Sequence, residues 1–177
     1  RRGWSKMKAV MAVNVAFFLL PKAEVVWLSP RHTLRQAMER MEHHRYSAVP
    51  LVDDDGRYAG TLTEGDILWY IKGTRDFTFE QAERIRVADI PRRFRYQPVS
   101  IYADVADLIR LAAAQSFVPV VDDRGRFIGI VRRREIIEHW ARLLPGAPVQ
   151  EEHPGQRAGG GPPRSGSGPA PNPPGDG

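Results

Sequence analysis

Two stretches of the sequence decide the fold: GTLTEGDI at residues 60–67 and GIVRRREI at residues 129–136. Each follows an apolar run and a short acidic segment, DDDG at 53–56 and DDRG at 122–125, and each leads into a further apolar stretch. Four positions match at a constant offset of 69 residues: Pro50 and Pro119, Gly56 and Gly125, Gly60 and Gly129, and Asp66 and Glu135. Such a repeat predicts two copies of one supersecondary unit.

The repeat continues upstream, where the offset becomes 71 residues. Ser29 matches Ser100, and in both copies the apolar residues that follow have the i, i+3, i+4, i+7 spacing of one helix face. Each copy is predicted to run strand, helix, strand, acidic turn, strand, helix, and glycine in the acidic turn favours a hairpin. In order, the first copy reads VVWL (25–28), TLRQAMERM (33–41), AVPLV (48–52), DDDG, YAGTL (58–62) and EGDILWYI (64–71), and the second reads QPVSI (97–101), VADLIRLAA (105–113), FVPVV (117–121), DDRG, FIGIV (127–131) and REIIEHWARLL (134–144). The predicted class is therefore α/β.

The doubled pattern resembles a tandem pair of CBS domains, often called a Bateman module. The resemblance rests on HRYSAVPLVDDDGRYAGTLTEGDIL (44–68), SFVPVVDDRGRFIGIVRRREII (116–137) and the lead-in VADIPRR (87–93), and it covers roughly residues 15–144. It implies two repeats that pack about a pseudo-twofold axis and leave two clefts between them. We expect a basic and apolar extension at 1–14, repeats at 15–76 and 87–144 joined by a linker at 77–86, and a disordered tail rich in glycine and proline at 145–177.

Composition limits the function. The net charge is +5, but the first eight residues contribute +4, which leaves about +2 for residues 9–144 once the acidic tail is counted. Nonspecific nucleic-acid binding usually requires a broadly basic body, so we expect no such partner. The apolar run at 9–20 is too short to span a bilayer, for which roughly 20 residues are needed, so we expect no membrane partner. The chain has no cysteine, which fits a cytoplasmic location.

The first candidate site is Thr63-Glu64-Gly65-Asp66, between a strand and a helix. A threonine followed by an acid three residues later is a capping-box pattern. Exposed amides at a helix start also attract phosphate. The resemblance adds that Gly60, Thr63 and Asp66 match the G-x-x-T-x-x-D pattern of nucleotide-binding CBS domains, in which the hydroxyl lies near phosphate and the carboxylate binds ribose. Both interpretations, capping and ligand contact, stay open.

The second candidate site is Arg132-Arg133-Arg134, where the second copy has arginine in place of threonine. Three cations at a helix start are unfavourable unless an anion or an acidic neighbour compensates them. Arginine can bind phosphate through two hydrogen bonds, so this copy is predicted to favour phosphate, with a solvated charge run as the alternative. By resemblance, residues that flank the strands would hold the adenine base, although each could equally be ordinary core: Val26, Tyr46, Ala48 and Phe117. The cluster Arg92, Arg93 and Arg95 is expected to be a solvated linker.

Catalytic and metal-binding patterns are missing from the sequence. The five histidines form no H-x-x-x-H or H-E-x-x-H motif, and there is no G-x-S-x-G or P-loop motif. An EF-hand loop with Gly56 at its sixth position would run from Leu51 to Leu62, which cannot act as the ligands that such a loop requires. We therefore predict a protein that is not an enzyme and that needs no cofactor or metal.

The predicted function is a regulatory sensor that binds an adenine nucleotide of the AMP, ATP or cyclic di-AMP class between the repeats and signals to an unidentified protein in trans. We expect a homodimer, with the apolar helices at 67–71 and 136–144 as candidate contacts, although these helices could simply cover their own sheets. The alternatives are a ligand-free dimerisation scaffold and, less favoured, a nucleic-acid binder that uses the arginine clusters.

Overall fold

The structure, a computed structural model, describes residues 13–144. The predictions for residues 1–12 and for the tail at 145–177 lie outside this range. Four α-helices are formed: α1 (Leu34–His44), α2 (Glu64–Gly73), α3 (Val105–Ala114) and α4 (Arg133–Leu143). Six strands are formed: β1 (Leu20–Pro21), β2 (Ala48–Val52), β3 (Tyr58–Thr63), β4 (Val99–Ser100), β5 (Phe117–Val121) and β6 (Phe127–Arg132). Within the described range, no helix is long and apolar enough to cross a membrane.

The first repeat is built on the antiparallel hairpin β2–β3, covered by α1 and α2. Its core is apolar and contains Leu34 and Met41 from α1, Val49 and Leu62 from the hairpin, and Ile67 from α2. The predicted strand at 25–28 is reduced to one isolated parallel bridge, between Leu28 and Leu51. The predicted order of elements is otherwise confirmed.

The second repeat has the same plan. Strands β4 and β5 are parallel, β5 and β6 form the antiparallel hairpin, and α3 and α4 pack on them around Leu108, Val118, Val131 and Ile136. Each hairpin has the same turn, because the first aspartate of the turn, Asp53 or Asp122, accepts backbone hydrogen bonds from residues two and four positions later.

The two hairpins meet in a way that shows the pseudo-twofold axis directly. The amide of Tyr58 donates to the carbonyl of Gly125 at 3.2 Å, and the amide of Phe127, which occupies the position of Tyr58 in the second copy, donates to the carbonyl of Gly56 at 2.9 Å. A bridge between Arg57 and Arg126 lies between these two bonds. Equivalent residues of the two copies therefore exchange equivalent contacts.

The opening segments of the two repeats, their lead-ins, are exchanged between them. Residues 15–21 open the first repeat, yet Val15 and Phe18 are buried in the core of the second and β1 pairs with β6. In the same way, Val87 and Ile90 open the second repeat and are buried in the core of the first. The two repeats are thus held together by chain from each other's lead-in.

Candidate functional site

A cavity of about 280 Å³ opens between the two repeats, and we call it the first cleft. This volume is close to the lower end of the roughly 300–1,000 Å³ range of ligand pockets. Side chains of both repeats and of the N-terminal segment line it: Leu20, Glu24, Val25, Val26, Arg45, Tyr46, Ser47, Ala48, Pro50, Ser116, Phe117, Ile130, Arg132 and Arg134.

Apolar residues form one part of the first cleft. Val25, Ala48, Phe117 and Ile130 belong to, or pack against, the small apolar cluster that joins the two hairpins. Ala48, Phe117 and Ile130 are presented by strands of both copies, so the surface depends on the pseudo-twofold packing. An apolar surface of this kind suits a flat aromatic ligand group.

Cationic residues form the other part. Arg45 is the residue after α1 and has a left-handed backbone conformation, with φ 55° and ψ 42°. Arg132 and Arg134 come from the end of β6 and the first turn of α4. The acidic neighbours that the sequence argument required are present: Arg132 pairs with Glu135 and Arg134 with Glu138, each at 2.5 Å. The hydrogen bond from Arg134 lowers the pKa of the Glu138 carboxyl below its usual value.

The middle arginine of the run has a different role. The Nε of Arg133 donates to the carbonyl oxygens of Ala112 at 2.7 Å and Gln115 at 3.0 Å. These are carbonyls at the C-terminal end of α3, where cations are favourable. Arg133 therefore joins α4 to the end of α3 and is not among the residues that line the first cleft.

Thr63 and Asp66 form the predicted capping box at the start of α2. The Asp66 amide donates to Thr63 Oγ1 at 3.1 Å, and the Thr63 amide donates to Asp66 Oδ2 at 3.0 Å. The other oxygen, Asp66 Oδ1, accepts a bond from the amide of Arg93 at 2.8 Å. Asp66 is 2% exposed, and both of its oxygens are bonded within the chain. Each oxygen already accepts one bond, so the ribose contact predicted for Asp66 would use the remaining acceptor capacity of a carboxylate that also has a structural role.

The structure therefore separates the predicted site residues into two groups. Six of the nine line the first cleft: Val26, Tyr46, Ala48, Phe117, Arg132 and Arg134. Thr63, Asp66 and Arg133 do not line it, and hydrogen bonds hold Thr63 and Asp66 at the start of α2 and Arg133 at the end of α3. The ligand roles of all nine stay predictions.

The linker before the second repeat is less solvated than expected. Arg92 is partly buried and donates to the carbonyls of Ile90 and Val87. Burial lowers the pKa of its guanidinium, and the nearby charge of Asp66 opposes that shift. The guanidinium of Arg93 lies 4.9 Å from the centre of the Trp69 ring. The expectation of a solvated linker is thus wrong for Arg92.

An aromatic cluster that was not predicted from the sequence contains Tyr58, Tyr96 and Phe117. The Tyr96 hydroxyl is 3.0 Å from Ser116 Oγ, the Tyr96 ring is 5.1 Å from that of Phe117, and Tyr58 donates its hydroxyl proton to the Tyr96 carbonyl at 3.3 Å. Burial raises the pKa of Tyr58 to about 12. The repeat contained a signal for this cluster, because the 71-residue offset places an aromatic residue, Tyr96, at the position of Val25.

Metal ligation has no support in the described part of the chain. Between residues 13 and 144, no group of three or more His, Asp or Glu side chains is arranged so that it could hold a metal ion. Of the histidines there, His32 accepts a hydrogen bond from the Ser29 amide, and His139 lies among aromatic rings.

These features define a class of protein: a two-repeat α/β module whose repeats are related by a pseudo-twofold axis and share a cleft. The CBS domain family model matches residues 19–73 and 87–142, and the chain belongs to the CBS domain family.

The individual relatives have low sequence identity to this chain. A CBS domain-containing protein from Dictyostelium discoideum is 25% identical over 128 residues, which is 67% of this chain and 86% of that protein. The inosine-5'-monophosphate dehydrogenase of Methanocaldococcus jannaschii is 27% identical over 129 residues, which is 73% of this chain but only 24% of the dehydrogenase.

Two solved structures have a similar fold. The structure of CbpB in complex with c-di-AMP has a TM-score of 0.70 at 20% identity and covers 79% of this chain and 92% of that one. The structure of CBSX2 in complex with AMP has a TM-score of 0.61 at 20% identity and covers 75% of this chain and 98% of that one. At this identity, both likenesses establish the fold.

Proposed function

We propose that this chain is a non-catalytic regulatory module that binds an adenine nucleotide in the first cleft. The observation that carries the proposal is the combination, in one cavity between the repeats, of an apolar surface with the guanidinium groups of Arg132 and Arg134. A nucleotide has the same two parts, a flat base and an anionic phosphate group.

The chemistry of each part supports this assignment. Val26, Ala48 and Phe117 offer the base an apolar contact surface. Arginine binds phosphate oxygens through paired, charge-assisted hydrogen bonds. Arg132 and Arg134 are held by exposed ion pairs to glutamates, and such pairs contribute only about 0–1 kcal/mol. Both arginines can therefore leave their glutamates for phosphate at small cost, and we place the phosphates there.

The related folds support the same ligand class. CbpB and CBSX2 have this fold, and their solved complexes contain c-di-AMP and AMP respectively. We extend the class, an adenine nucleotide, to this chain and leave the choice within the class to the experiment below. The dehydrogenase relative matches over a quarter of its length or less, so its activity is not part of the proposal.

The regulatory step follows from the position of the first cleft. Its walls come from both repeats, so a bound nucleotide contacts both of them. A ligand shifts a conformational equilibrium only when it binds one state more tightly than the other, and a ligand that bridges two repeats favours one relative packing. We propose that this change is read by a partner protein and that the module works in the cytoplasm, as predicted from the sequence.

The test is a binding series with increasing phosphate charge. Adenosine, AMP, ATP and c-di-AMP are titrated into wild type and into Arg134→Ala by calorimetry, with Arg124→Ala as the control. Arg124 is an exposed residue of the DDRG turn, so the control removes the same charge away from the cleft. We expect Arg134→Ala to weaken AMP and ATP binding, ATP most, and to leave adenosine unchanged. Equal losses for adenosine and ATP, or no binding of any member by wild type, would refute the proposal.

Binding should also be visible in stability. A ligand present at about 100 times its dissociation constant adds roughly 2.7 kcal/mol to the free energy of unfolding. For a domain of this size, that corresponds to a shift of several degrees in the unfolding temperature. Thermal unfolding therefore provides a second readout that does not depend on the heat of binding.

A dimeric scaffold is the second candidate, and a specific observation favours dimer formation. The helices named from the sequence each bury one isoleucine, Ile67 or Ile136, and expose its neighbour: Leu68 is 58% exposed and Ile137 is 58% exposed. We propose that these exposed residues form a homodimer contact. Light scattering after size exclusion should report a dimer for wild type and a monomer for Leu68→Glu with Ile137→Glu. A monomeric wild type would contradict the contact, and a dimer that binds no nucleotide would favour the scaffold.

A further inference from the structure

The pseudo-twofold axis requires a counterpart of the first cleft on the other side of the repeat pair. We call it the second cleft and define its positions by the repeat offsets. Val25, Ser47 and Ala48 of the first cleft correspond to Tyr96, Ser116 and Phe117, and Arg132 and Arg134 correspond to Thr63 and Gly65. The second cleft is therefore the one that contains the G-x-x-T-x-x-D pattern.

The second cleft differs from the first in the size of its apolar residues. Tyr96 stands at the position of Val25, and Phe117, at the position of Ala48, also lines the first cleft. The two rings pack against each other with centroids 5.1 Å apart, and the Tyr96 hydroxyl lies within hydrogen-bond distance of Ser116 Oγ. The hydroxyl of Tyr58 also donates a hydrogen bond to the carbonyl of Tyr96, which holds the backbone of that residue in place. The space that would hold a base in the first cleft is thus occupied by a protein ring in the second.

The polar groups of the second cleft are also engaged within the chain. Thr63 and Asp66 bond to each other's amides, and Asp66 Oδ1 accepts from the amide of Arg93, three residues before Tyr96. No arginine stands at the positions of Arg132 and Arg134, because threonine and glycine replace them. The segment that leads to Tyr96 is therefore anchored, through the Arg93 amide, to the carboxylate for which the family resemblance implies a ribose contact.

We infer that Tyr96 closes the second cleft and is the residue that limits this chain to one nucleotide site, the first cleft. The inference rests on the proposed function, since it concerns how many nucleotides the module takes. Tyr96 thereby determines the stoichiometry of the sensor, and Val25, its counterpart, leaves the first cleft open.

The experiment exchanges the two residues. Calorimetric titration with AMP is run on wild type, Tyr96→Val, Tyr96→Phe and Val25→Tyr, with circular dichroism to verify that each variant is folded. Tyr96→Val places the residue of the open cleft in the closed one, and Tyr96→Phe retains the ring while removing the hydroxyl contact to Ser116.

We expect one AMP per chain for wild type and for Tyr96→Phe, two for Tyr96→Val with the second weaker, and none for Val25→Tyr. Two AMP molecules per wild-type chain, or one AMP per chain for both wild type and Tyr96→Val, would overturn the inference while leaving the proposed function intact. If wild type binds no AMP and Tyr96→Val binds one, the proposed use of the first cleft fails and the closure by Tyr96 stands. If neither binds, both fail.

Discussion

Replacing Asp66 tests whether its carboxylate is a structural group. In the folded chain it accepts bonds from the amides of Thr63 and Arg93 at 3.0 Å and 2.8 Å. Hydrogen bonds to a charged group contribute about 1.5–3 kcal/mol each, which gives roughly 3–6 kcal/mol for the two. Water can reach the freed amides in part, so we expect Asp66→Ala to lose about 3 kcal/mol, the lower end of that range.

The matched control is Glu135→Ala, the same position in the second repeat. Glu135 pairs with Arg132 on a side chain that is 35% exposed, and such pairs contribute about 0–1 kcal/mol. Urea unfolding followed by circular dichroism measures both losses. At about 2–4 °C per kcal/mol, the unfolding temperature of Asp66→Ala should fall by about 6–12 °C. A loss below about 1 kcal/mol for Asp66→Ala, or equal losses for the two variants, would refute the structural role.

Two further predictions concern a buried tyrosine and a close backbone contact. The pKa of Tyr58 is about 12 in the folded chain and about 10 in an unfolded one, so its contribution to stability is complete below about pH 10 and is lost as the pH rises toward 12. Urea unfolding across this interval should show a smaller decline for Tyr58→Phe than for wild type, and identical declines would contradict the prediction. A Cβ at Gly129 would lie 2.2 Å from the Leu20 carbonyl oxygen, so Gly129→Ala must displace β1 and should lose about 1–3 kcal/mol or more. Gly73→Ala, where a Cβ would meet nothing within 4 Å, is the control and should not be destabilised, and a loss there equal to that of Gly129→Ala would rule out the contact with β1 as the cause.

The elements of each repeat could be predicted because their signals are local. The helical spacing in α1 and α3, the alternation of turn and strand residues, and the threonine and acid of the capping box each depend on a few neighbouring residues. Because the same pattern occurs in both repeats, each predicted element in one repeat supports the matching element in the other. The repeat was accordingly predicted and the structure confirms it, while the capping box, one of two interpretations of Thr63 and Asp66, is formed.

The exchange of lead-in segments could not be predicted in this way. Val15 and Phe18 are apolar, but nothing in their spacing states which of two similar cores will bury them. Strand β1 has two residues, and its pairing with β6 spans more than a hundred positions of sequence. At residues 25–28, in contrast, a strand was predicted from β-forming residues, but these residues form only one bridge, at Leu28.

The sequence indicated which types of residue the candidate site would contain better than it indicated where each of them would lie in the fold. The sequence pattern gave Thr63 and Asp66 the same weight as the arginines, because a capping box and a phosphate site use similar residues. Whether such a carboxylate has a structural role or binds a ligand depends on the groups that lie near it in the folded chain. Here the amide of Arg93, from a distant part of the sequence, donates a hydrogen bond to Asp66. Of three adjacent arginines, Arg133 turns to the end of α3 because adjacent helical residues point in different directions.

The differences between the two copies are physically connected through Phe117. Its ring lines the first cleft, yet it also packs against Tyr96, the residue that fills the second. The same side chain therefore supplies apolar surface to the open cleft and a packing partner to the ring in the closed one. The smaller Ala48 at the equivalent position leaves room in the first cleft, where the arginines of the second copy are the nearby cations. In the inference drawn above, one cleft keeps the apolar and cationic surface for a nucleotide, and Tyr96 fills the position of Val25 in the other.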